Sequence, residues 1–219
     1  MSSALSDSDT ESPKDEEKRG SLTFSRVIGG ARFCLPGRTV ARYLPETPGD
    51  KLPGMLADRL RFAPVALENL DCFHSLVRDE YVRRYLMDGN VFPREWSEQR
   101  VRESQSLFAR RDVGLWLVRH AATDELAGFC GFMEIPSIHA DPQLVYALLE
   151  RFTGFGLATE MARASIAHAH VRGFAQVLAS VDAVNTASCR VLEKLGFQHI
   201  ATQQGNFGPM LVLRLALPP

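Results

Sequence analysis

The sequence predicts a mixed α+β domain of seven strands and four helices, and two kinds of pattern predict it. Short runs with every second residue apolar predict strands, and longer stretches with apolar residues three or four positions apart predict helices. In chain order these patterns read β-α-α-β-β-β-α-β-α-β-β. With 219 residues, 45% of them hydrophobic, the chain can also bury a sizeable core.

Composition and charge exclude several classes of protein. The net charge is −1, whereas a nucleic-acid-binding protein usually carries an excess of basic residues. No apolar run reaches the roughly 18 residues of a membrane span, and the acidic, serine-rich N-terminus resembles neither a signal peptide nor a transit peptide. The cysteines are widely spaced and form no CxxC pair, which argues against a zinc site and fits a reducing cytosol. We therefore expect a cytoplasmic protein without a metal and without a nucleic-acid or membrane partner.

The first 56 residues differ in composition from the rest. Residues 1–19 hold six acidic and three basic residues and almost no large apolar residue, which predicts a disordered tail. Residues 20–56 are interrupted repeatedly by proline and glycine, which predicts an extended, loosely packed arm. The compact domain is therefore expected over residues 57–219.

The elements of that domain follow from the periodicity and from the residues that begin and end helices. Strands are expected at 60–63, 113–119, 126–135, 143–149, 176–181, 197–203 and 210–217. Helices are expected at about 67–81, 97–110, 158–170 and 186–195. Ser97 is suited to begin the second helix, Asn185 or Thr186 to begin the last, and Gly196 to end it. The run 143–149 is apolar on both faces and is expected at the centre of the sheet.

A turn with two glycines separates the strand at 143–149 from the helix at 158–170. The glycines of Thr153-Gly154-Phe155-Gly156 let the backbone approach a ligand closely, and the first-turn N–H groups of the helix lack intrahelical partners. Together with the helix dipole, this predicts an anion site, with phosphate as the expected guest. Alone the signal is weak: the G-K-[ST] of a P-loop is absent, and Thr159 is a poor fit to the Rossmann fingerprint.

A second motif, together with the glycine turn, points to one protein family. The segment Asn185-Thr-Ala-Ser188-Cys-Arg190-Val-Leu-Glu-Lys194-Leu-Gly196-Phe197 resembles the N-x-x-S-x-R-x-x-E-K-x-G-F block of the GNAT N-acetyltransferase superfamily. Its most similar branch includes the ribosomal-protein N-terminal (alanine) acetyltransferases. Arg151, Gly154 and Gly156 match the preceding [QR]-x-x-G-x-G/A pattern of that family, and Gly-Leu-Ala-Thr-Glu160 resembles its continuation. The resemblance covers residues 58–217 and implies a mostly antiparallel, six-to-seven-stranded sheet with splayed central strands, flanked by about four helices.

The resemblance also implies acetyl-CoA as co-substrate. Backbone groups of Ala147, Leu148 and Leu149 are expected to pair with the β-alanine and pantetheine amides. The pyrophosphate is expected on the N–H groups of the glycine loop, by which we mean Thr153, Gly154, Phe155, Gly156, Leu157 and Ala158. Arg151 is a candidate partner for a CoA phosphate, and Asn185 for the cofactor arm in addition to its capping role. Position 155 is often basic in relatives and is phenylalanine here.

Candidate catalytic residues come from the same two motifs. A hydroxyl near Ser188 donates to the departing thiolate in relatives, which makes Ser188 the first candidate and Tyr146 a weaker one that also suits the cleft wall. The N–H of Leu148 or Leu149 is expected to polarise the thioester carbonyl. Cys189 raises the possibility of an acetyl-thioester intermediate, but a packed thiol and direct transfer fit the family better.

The general base is where the sequence departs from the family. Gln143 aligns with a glutamate of many relatives, and glutamine cannot accept a proton. Glu134 is a candidate substitute; otherwise the amine loses its proton to solvent and catalysis rests on positioning. Asp79, Glu80 and Asp88 are candidates for binding a cationic amine, although each also suits a solvated helix end.

The leading hypothesis is therefore acetyl transfer from acetyl-CoA to a primary amine, either a protein N-terminus or a small molecule, by direct attack in a ternary complex. A non-catalytic acyl-CoA sensor or interaction module on the same fold is the alternative. A different acyl donor, such as succinyl-CoA, is a third possibility. Either a monomer or a homodimer is compatible with the sequence.

Overall fold

The computed structural model describes Met55 and residues 57–218. Within them seven strands form one sheet: β1 (Leu60–Pro64), β2 (Leu115–His120), β3 (Leu126–Ile135), β4 (His139–Leu148), β5 (Gln176–Asp182), β6 (Gln198–Gly205) and β7 (Gly208–Ala216). The α-helices of this part are α1 (Leu70–Arg78), α2 (Glu80–Leu86), α3 (Arg94–Arg111), α4 (Leu157–Val171) and α5 (Thr186–Lys194). The predicted tail and arm over 1–56 lie, apart from Met55, outside the described residues and stay a prediction.

The sheet is antiparallel except at its centre. Its strand order is β1-β2-β3-β4-β5-β7-β6, and β4 and β5 are the parallel pair. The two strands have ten and seven residues, yet a single residue pair, Gln143 with Leu178, joins them. Beyond that pair they separate and leave a gap, which we call the β4–β5 cleft. The predicted fold class, with its splayed central strands, is confirmed.

Helices cover both faces of the sheet. Because neighbouring residues of a strand point to opposite faces, Leu144 and Val145 of β4 belong to different layers. Val145 packs in a buried cluster with Phe73 of α1, whereas Leu144 packs with Ala162 of α4 on the other face. The apolar stripes of the helices are thus buried against the strands that border the cleft.

The helix predicted over 67–81 is divided, so the described part of the chain has five helices where about four were expected. Its apolar period continues through Tyr81, but the backbone turns at Asp79, which has a ψ of 134°. The Asp79 carboxylate accepts hydrogen bonds from the N–H groups of Tyr81 (3.0 Å) and Val82 (3.1 Å). Asp79 therefore begins a new helix, a role that periodicity alone does not reveal.

The prediction that Ser97 begins the second helix is wrong. Helix α3 begins three residues earlier, at Arg94, with Pro93 as its N-cap residue. Ser97 is fully buried inside the helix, and its hydroxyl bonds His74 Nδ1 at 2.8 Å. The hydroxyl thus forms a hydrogen bond with a side chain of α1 and does not cap the backbone of its own helix.

The remaining elements agree with the predicted ones to within a few residues. The largest difference is β4, which begins at His139 and not at Gln143, after a register irregularity between Met133 and Ile135 of β3. Asn185, and not Thr186, is the N-cap of α5, and Gly196 follows the helix with a φ of +87°. No helix in the described part of the chain is long and apolar enough to cross a membrane.

Candidate active site

The glycine loop connects the end of β4 to the start of α4. After a 3₁₀ turn at Glu150–Phe152, Gly154 and Gly156 adopt φ angles of +82° and +78°. Other residues reach this left-handed region at a cost of roughly 1–2 kcal/mol. A Cβ on Gly154 would meet nothing within 4 Å, so the loop surface is open and glycine is needed there for its backbone conformation.

Unpaired backbone donors surround this open surface. The first hydrogen bond of α4 runs from the Glu160 N–H to the Gly156 carbonyl at 3.1 Å, so the N–H groups of Leu157 and Ala158 have no intrahelical acceptor. The Thr153 N–H, by contrast, donates to the Glu150 carbonyl at 2.9 Å. The expected set of diphosphate donors is thereby reduced from 153–158 to 154–158, which still fits an extended anion.

The edge of β4 that faces the cleft offers backbone groups to a ligand. The Leu149 N–H is already engaged by the Ala127 carbonyl at 2.8 Å, on the β3 side. Because the N–H and C=O groups of successive strand residues point to alternate sides, those of Tyr146 and Leu148 face the cleft. Of the two candidates for polarising a thioester carbonyl, Leu148 therefore has the available N–H group.

Tyr146 and Ser188 meet across the cleft. The Tyr146 phenol lies 2.7 Å from Ser188 Oγ and 3.3 Å from the Ser188 carbonyl oxygen. Burial raises the pKa of Tyr146 to about 12, and the Ser188 hydrogen bond only partly opposes it. The phenol is therefore neutral at physiological pH and can either donate a hydrogen bond to Ser188 Oγ or accept one from it.

Helix α5 fixes the position of Ser188. Asn185 Oδ1 accepts a hydrogen bond from the Ser188 N–H at 3.1 Å and so caps the helix. This places the Ser188 hydroxyl in the first turn, where the helix dipole favours negative charge on a nearby atom. No described residue accepts from Asn185 Nδ2, which leaves that amide group available for a ligand.

Cys189, the neighbour of Ser188, is poorly suited to act as a nucleophile. Its thiol is half-buried and lies 3.9 Å from the Asp182 carbonyl. Burial is the largest cause that raises the pKa of Cys189, and the nearby Asp182 carboxylate adds to it. Because the thiolate is the reactive form, this environment favours direct transfer over an acetyl-thioester.

Gln143 and Glu134 both lie away from Tyr146 and Ser188. Gln143 is fully buried at the closed end of the cleft, with Nε2 donating to the Ile135 carbonyl at 3.3 Å. Glu134 accepts from Arg110 at 3.0 and 3.3 Å. Cys130 is the register partner of Tyr146, and Glu134 is four residues further along β3, roughly 13 Å. The structure therefore gives Glu134 a different partner, and its role as base stays a prediction.

The other candidate residues have local roles. The Arg151 guanidinium donates to the Leu126 carbonyl at 3.4 Å and lies over the Phe152 ring, so its contact with a CoA phosphate stays a prediction. Asp79 caps α2, and the neighbouring Glu80 lies in the first turn of that helix. Among the described residues, no group of three His, Cys, Asp or Glu side chains could hold a metal ion.

One acidic pair near the cleft was not predicted. Asp182, the last residue of β5, has its pKa raised by burial and, secondarily, by the Asp88 carboxylate. Asp88 in turn accepts from Asn206 Nδ2 at 2.7 Å, which connects the α2–α3 loop to the β6–β7 turn. Asp88 was a candidate for binding a cationic amine, but no local pattern predicts that it approaches Asp182, 94 residues away.

Comparison with known proteins identifies the family. A model of the acetyltransferase (GNAT) domain matches residues 59–198. The uncharacterized protein YkkB of Bacillus subtilis (strain 168) is 31% identical over 156 residues, which span 68% of this chain and 87% of YkkB. The chain therefore belongs to the GNAT family of N-acetyltransferases, which use acetyl-CoA. The family predicted from the two motifs is confirmed.

Solved structures share the fold. The RimL ribosomal L7/L12 alpha-N-protein acetyltransferase in complex with coenzyme A superimposes with a TM-score of 0.63 at 19% identity, over 74% of this chain and 96% of that one. The spermidine N-acetyltransferase from Vibrio cholerae, in complex with CoA and spermine, gives 0.60 at 14% identity, over 72% of this chain and 95% of that one. At such identities the likeness concerns the fold alone.

Proposed function

We propose that this chain transfers the acetyl group of acetyl-CoA to a primary amine by direct attack in a ternary complex. The observation that carries the proposal is the 2.7 Å contact between the Tyr146 phenol and Ser188 Oγ across the β4–β5 cleft. The two neutral hydroxyl groups lie at β4, the strand that leads into the open glycine loop. That arrangement suits a leaving group that becomes negatively charged as it departs.

The donor would lie along the cleft. The N–H groups of residues 154–158 would bind the diphosphate, and the exposed edge of β4 at Leu148 would pair with the pantetheine amides. Asn185 Nδ2 would donate to the same arm. This assignment is supported by the positive φ angles of the two loop glycines and by the empty space in front of Gly154.

The chemistry needs one bond formed and one broken. A neutral amine nitrogen attacks the thioester carbonyl carbon, and the Leu148 N–H stabilises the oxygen on which charge develops. The C–S bond then breaks with its electron pair on sulfur. Ser188 donates its proton to that sulfur, and the Tyr146 phenol returns a proton to Ser188 and recovers its own from solvent.

An ammonium acceptor must lose one proton before attack, and the attacking nitrogen must lose a second proton once the C–N bond has formed. Of the two expected routes, transfer to Glu134 would require that carboxylate to leave Arg110, whereas loss to solvent requires no rearrangement. We therefore propose the solvent route, with the acceleration coming from the positions of the two substrates. The acceptor class is a primary amine, either a protein N-terminus or a small molecule.

Equilibrium binding of acetyl-CoA tests the proposal. The wild-type chain should bind saturably, and Gly154→Glu should weaken binding by more than about tenfold, because it adds a carboxylate and strains the loop. Gly173→Glu is the matched control, since Gly173 also has a positive φ (+79°) and open space around it but lies beyond the far end of α4. Absence of binding at millimolar acetyl-CoA, or equal effects of the two variants, would contradict the proposal.

A further inference from the structure

Arg59, just before β1, contacts the glycine loop and the first turn of α4. Its backbone N–H donates to Glu160 Oε1 at 2.9 Å, and its Nε donates to Glu160 Oε2 at 2.7 Å. Its Nη2 lies 2.6 Å from the same carboxylate oxygen. Its Nη1 donates to the Phe155 carbonyl at 2.9 Å. One guanidinium therefore ties the first turn of α4 to the middle of the loop.

We propose that Arg59 is a positioning residue for the diphosphate end of acetyl-CoA. It acts through the Phe155 carbonyl and the Glu160 carboxylate and does not touch the reacting atoms. This inference rests on the proposed function, because it assumes that the glycine loop binds the diphosphate. It assigns a role to a residue that lies in neither of the two sequence motifs.

The Arg59 contact fixes the direction of one N–H group of the loop. In a trans peptide unit the C=O and N–H bonds point in opposite directions. When Arg59 binds the Phe155 carbonyl, the Gly156 N–H is therefore directed away from Arg59. This unit lies between Phe155 and Gly156, and the glycine permits it to rotate, so a side-chain contact is needed to hold the N–H in this direction.

Arg59 also changes the charge beside the loop. Glu160 lies in the first turn of α4, next to the donors expected to bind the diphosphate, and an unpaired carboxylate there would repel it. Arg59 neutralises this carboxylate, whose side chain is only 18% exposed. Phe155 is apolar and 67% exposed, so position 155 contributes no charge of its own. The guanidinium of Arg59 thus offsets the negative charge of Glu160 beside the proposed diphosphate site.

A purely structural role for the same contacts is the competing explanation, because Arg59 also joins an edge strand to a helix. The two roles separate when the donor lacks the diphosphate. S-Acetylpantetheine carries the reacting thioester and the amide arm but no phosphate. A residue that only maintains the fold should affect both donors equally, whereas a residue that positions the diphosphate donors should affect acetyl-CoA alone.

The experiment compares both donors in Arg59→Met and in a control, Arg61→Met. Arg61 is exposed on β1, two residues further along. We expect Arg59→Met to raise the KM for acetyl-CoA by about tenfold or more, the effect of losing charge-assisted hydrogen bonds, with kcat within about threefold of wild type. Its kcat/KM for S-acetylpantetheine should be unchanged, as should both values in Arg61→Met.

Arg59→Lys gives an independent measurement and decides the question if Arg59→Met does not fold. Lysine keeps the charge but lacks the planar fork that binds Phe155 and Glu160 together, so its KM for acetyl-CoA should also rise selectively. An unchanged KM for acetyl-CoA, or an equal loss with both donors, would overturn the inference. If wild type itself does not bind acetyl-CoA, the proposed function fails, which is a distinct result.

Discussion

Tyr146 and Ser188 are 42 residues apart in the chain, and their hydroxyl oxygens lie 2.7 Å apart across the β4–β5 cleft. One stands on a central strand and the other in the first turn of α5, so the contact spans the gap that the diverging strands leave. A single β4–β5 residue pair and the Asn185 cap determine this geometry. The proposed chemistry follows from where the two hydroxyl groups meet.

Ser188→Ala should lower kcat with little change in the KM for acetyl-CoA. The hydroxyl is proposed to act on charge that develops only as the C–S bond breaks, and such proton donors contribute about 10²-fold or more. Steady-state kinetics measure the effect. Thr186→Ala, an exposed change in the same helical turn, is the control and should retain wild-type kcat. A KM effect without a kcat effect would assign Ser188 to donor binding.

The pH profile should carry no descending limb from Tyr146 below about pH 10, since burial raises the pKa of this phenol to about 12. The rate should instead increase with pH as the acceptor amine becomes neutral. The measurement is kcat/KM against pH, with circular dichroism to confirm that the chain stays folded. A loss of activity in the folded protein near neutral pH would show that another group must be protonated.

Gln143→Glu should not create a general base. The side chain is fully buried, and its Oε1 has no partner among the described residues. A carboxyl group in that place would be held in its neutral form, and the unfolding free energy should fall by about 2 kcal/mol or more. Chemical denaturation measures this loss, with the exposed Gln198→Glu as control. Increased kcat in Gln143→Glu would mean that position 143 reaches the amine.

Stability should decrease in acid because of His168. Burial is the main cause that lowers the pKa of His168, and its Nε2 lies 2.8 Å from the Asp112 carbonyl. The pKa of His168 is lower in the folded chain than in the unfolded chain, so between the two pKa values the unfolded chain binds more protons. Stability therefore rises with pH through that window and is lost as pH falls below about 6.5. Melting temperatures from about pH 5 to 7.5 should show a shallower slope in His168→Gln than in the exposed control His170→Gln. Equal slopes in the two variants would show that His168 is not the cause of the acid destabilisation.

Asp79→Ala should cost about 1 kcal/mol of stability, the usual effect of losing an N-cap carboxylate. Asp79 accepts from two N–H groups at the start of α2, whereas Glu80 beside it makes no capping contact. Glu80→Ala is therefore the matched control, and urea denaturation compares the two. If acetyl transfer to a cationic amine is lost while stability is not, Asp79 contacts the acceptor and its capping role is secondary.

Local patterns predicted most of the fold, and non-local contacts account for what they missed. The glycine loop, the strands beside the cleft and the Asn185 cap depend on residues close in sequence. The contact between Arg59 and Glu160 joins positions 101 residues apart, and no spacing rule reveals it. The break at Asp79 was missed because the apolar period continues across it. Glu134 was a candidate base in the sequence. Its ion pair with Arg110 could not be predicted, because Arg110 lies on a different element.

Amine-dependent release of free CoA thiol from acetyl-CoA tests the central claim most directly. The measurement uses the full chain, acetyl-CoA and a panel of protein N-terminal peptides, polyamines, amino acids and aminoglycosides. We predict that at least one amine accelerates thiol release with saturation, that its acetylated product is found by mass spectrometry, and that Ser188→Ala removes most of the acceleration. Saturable acetyl-CoA binding without thiol release across the whole panel would contradict the claim and favour an acyl-CoA sensor.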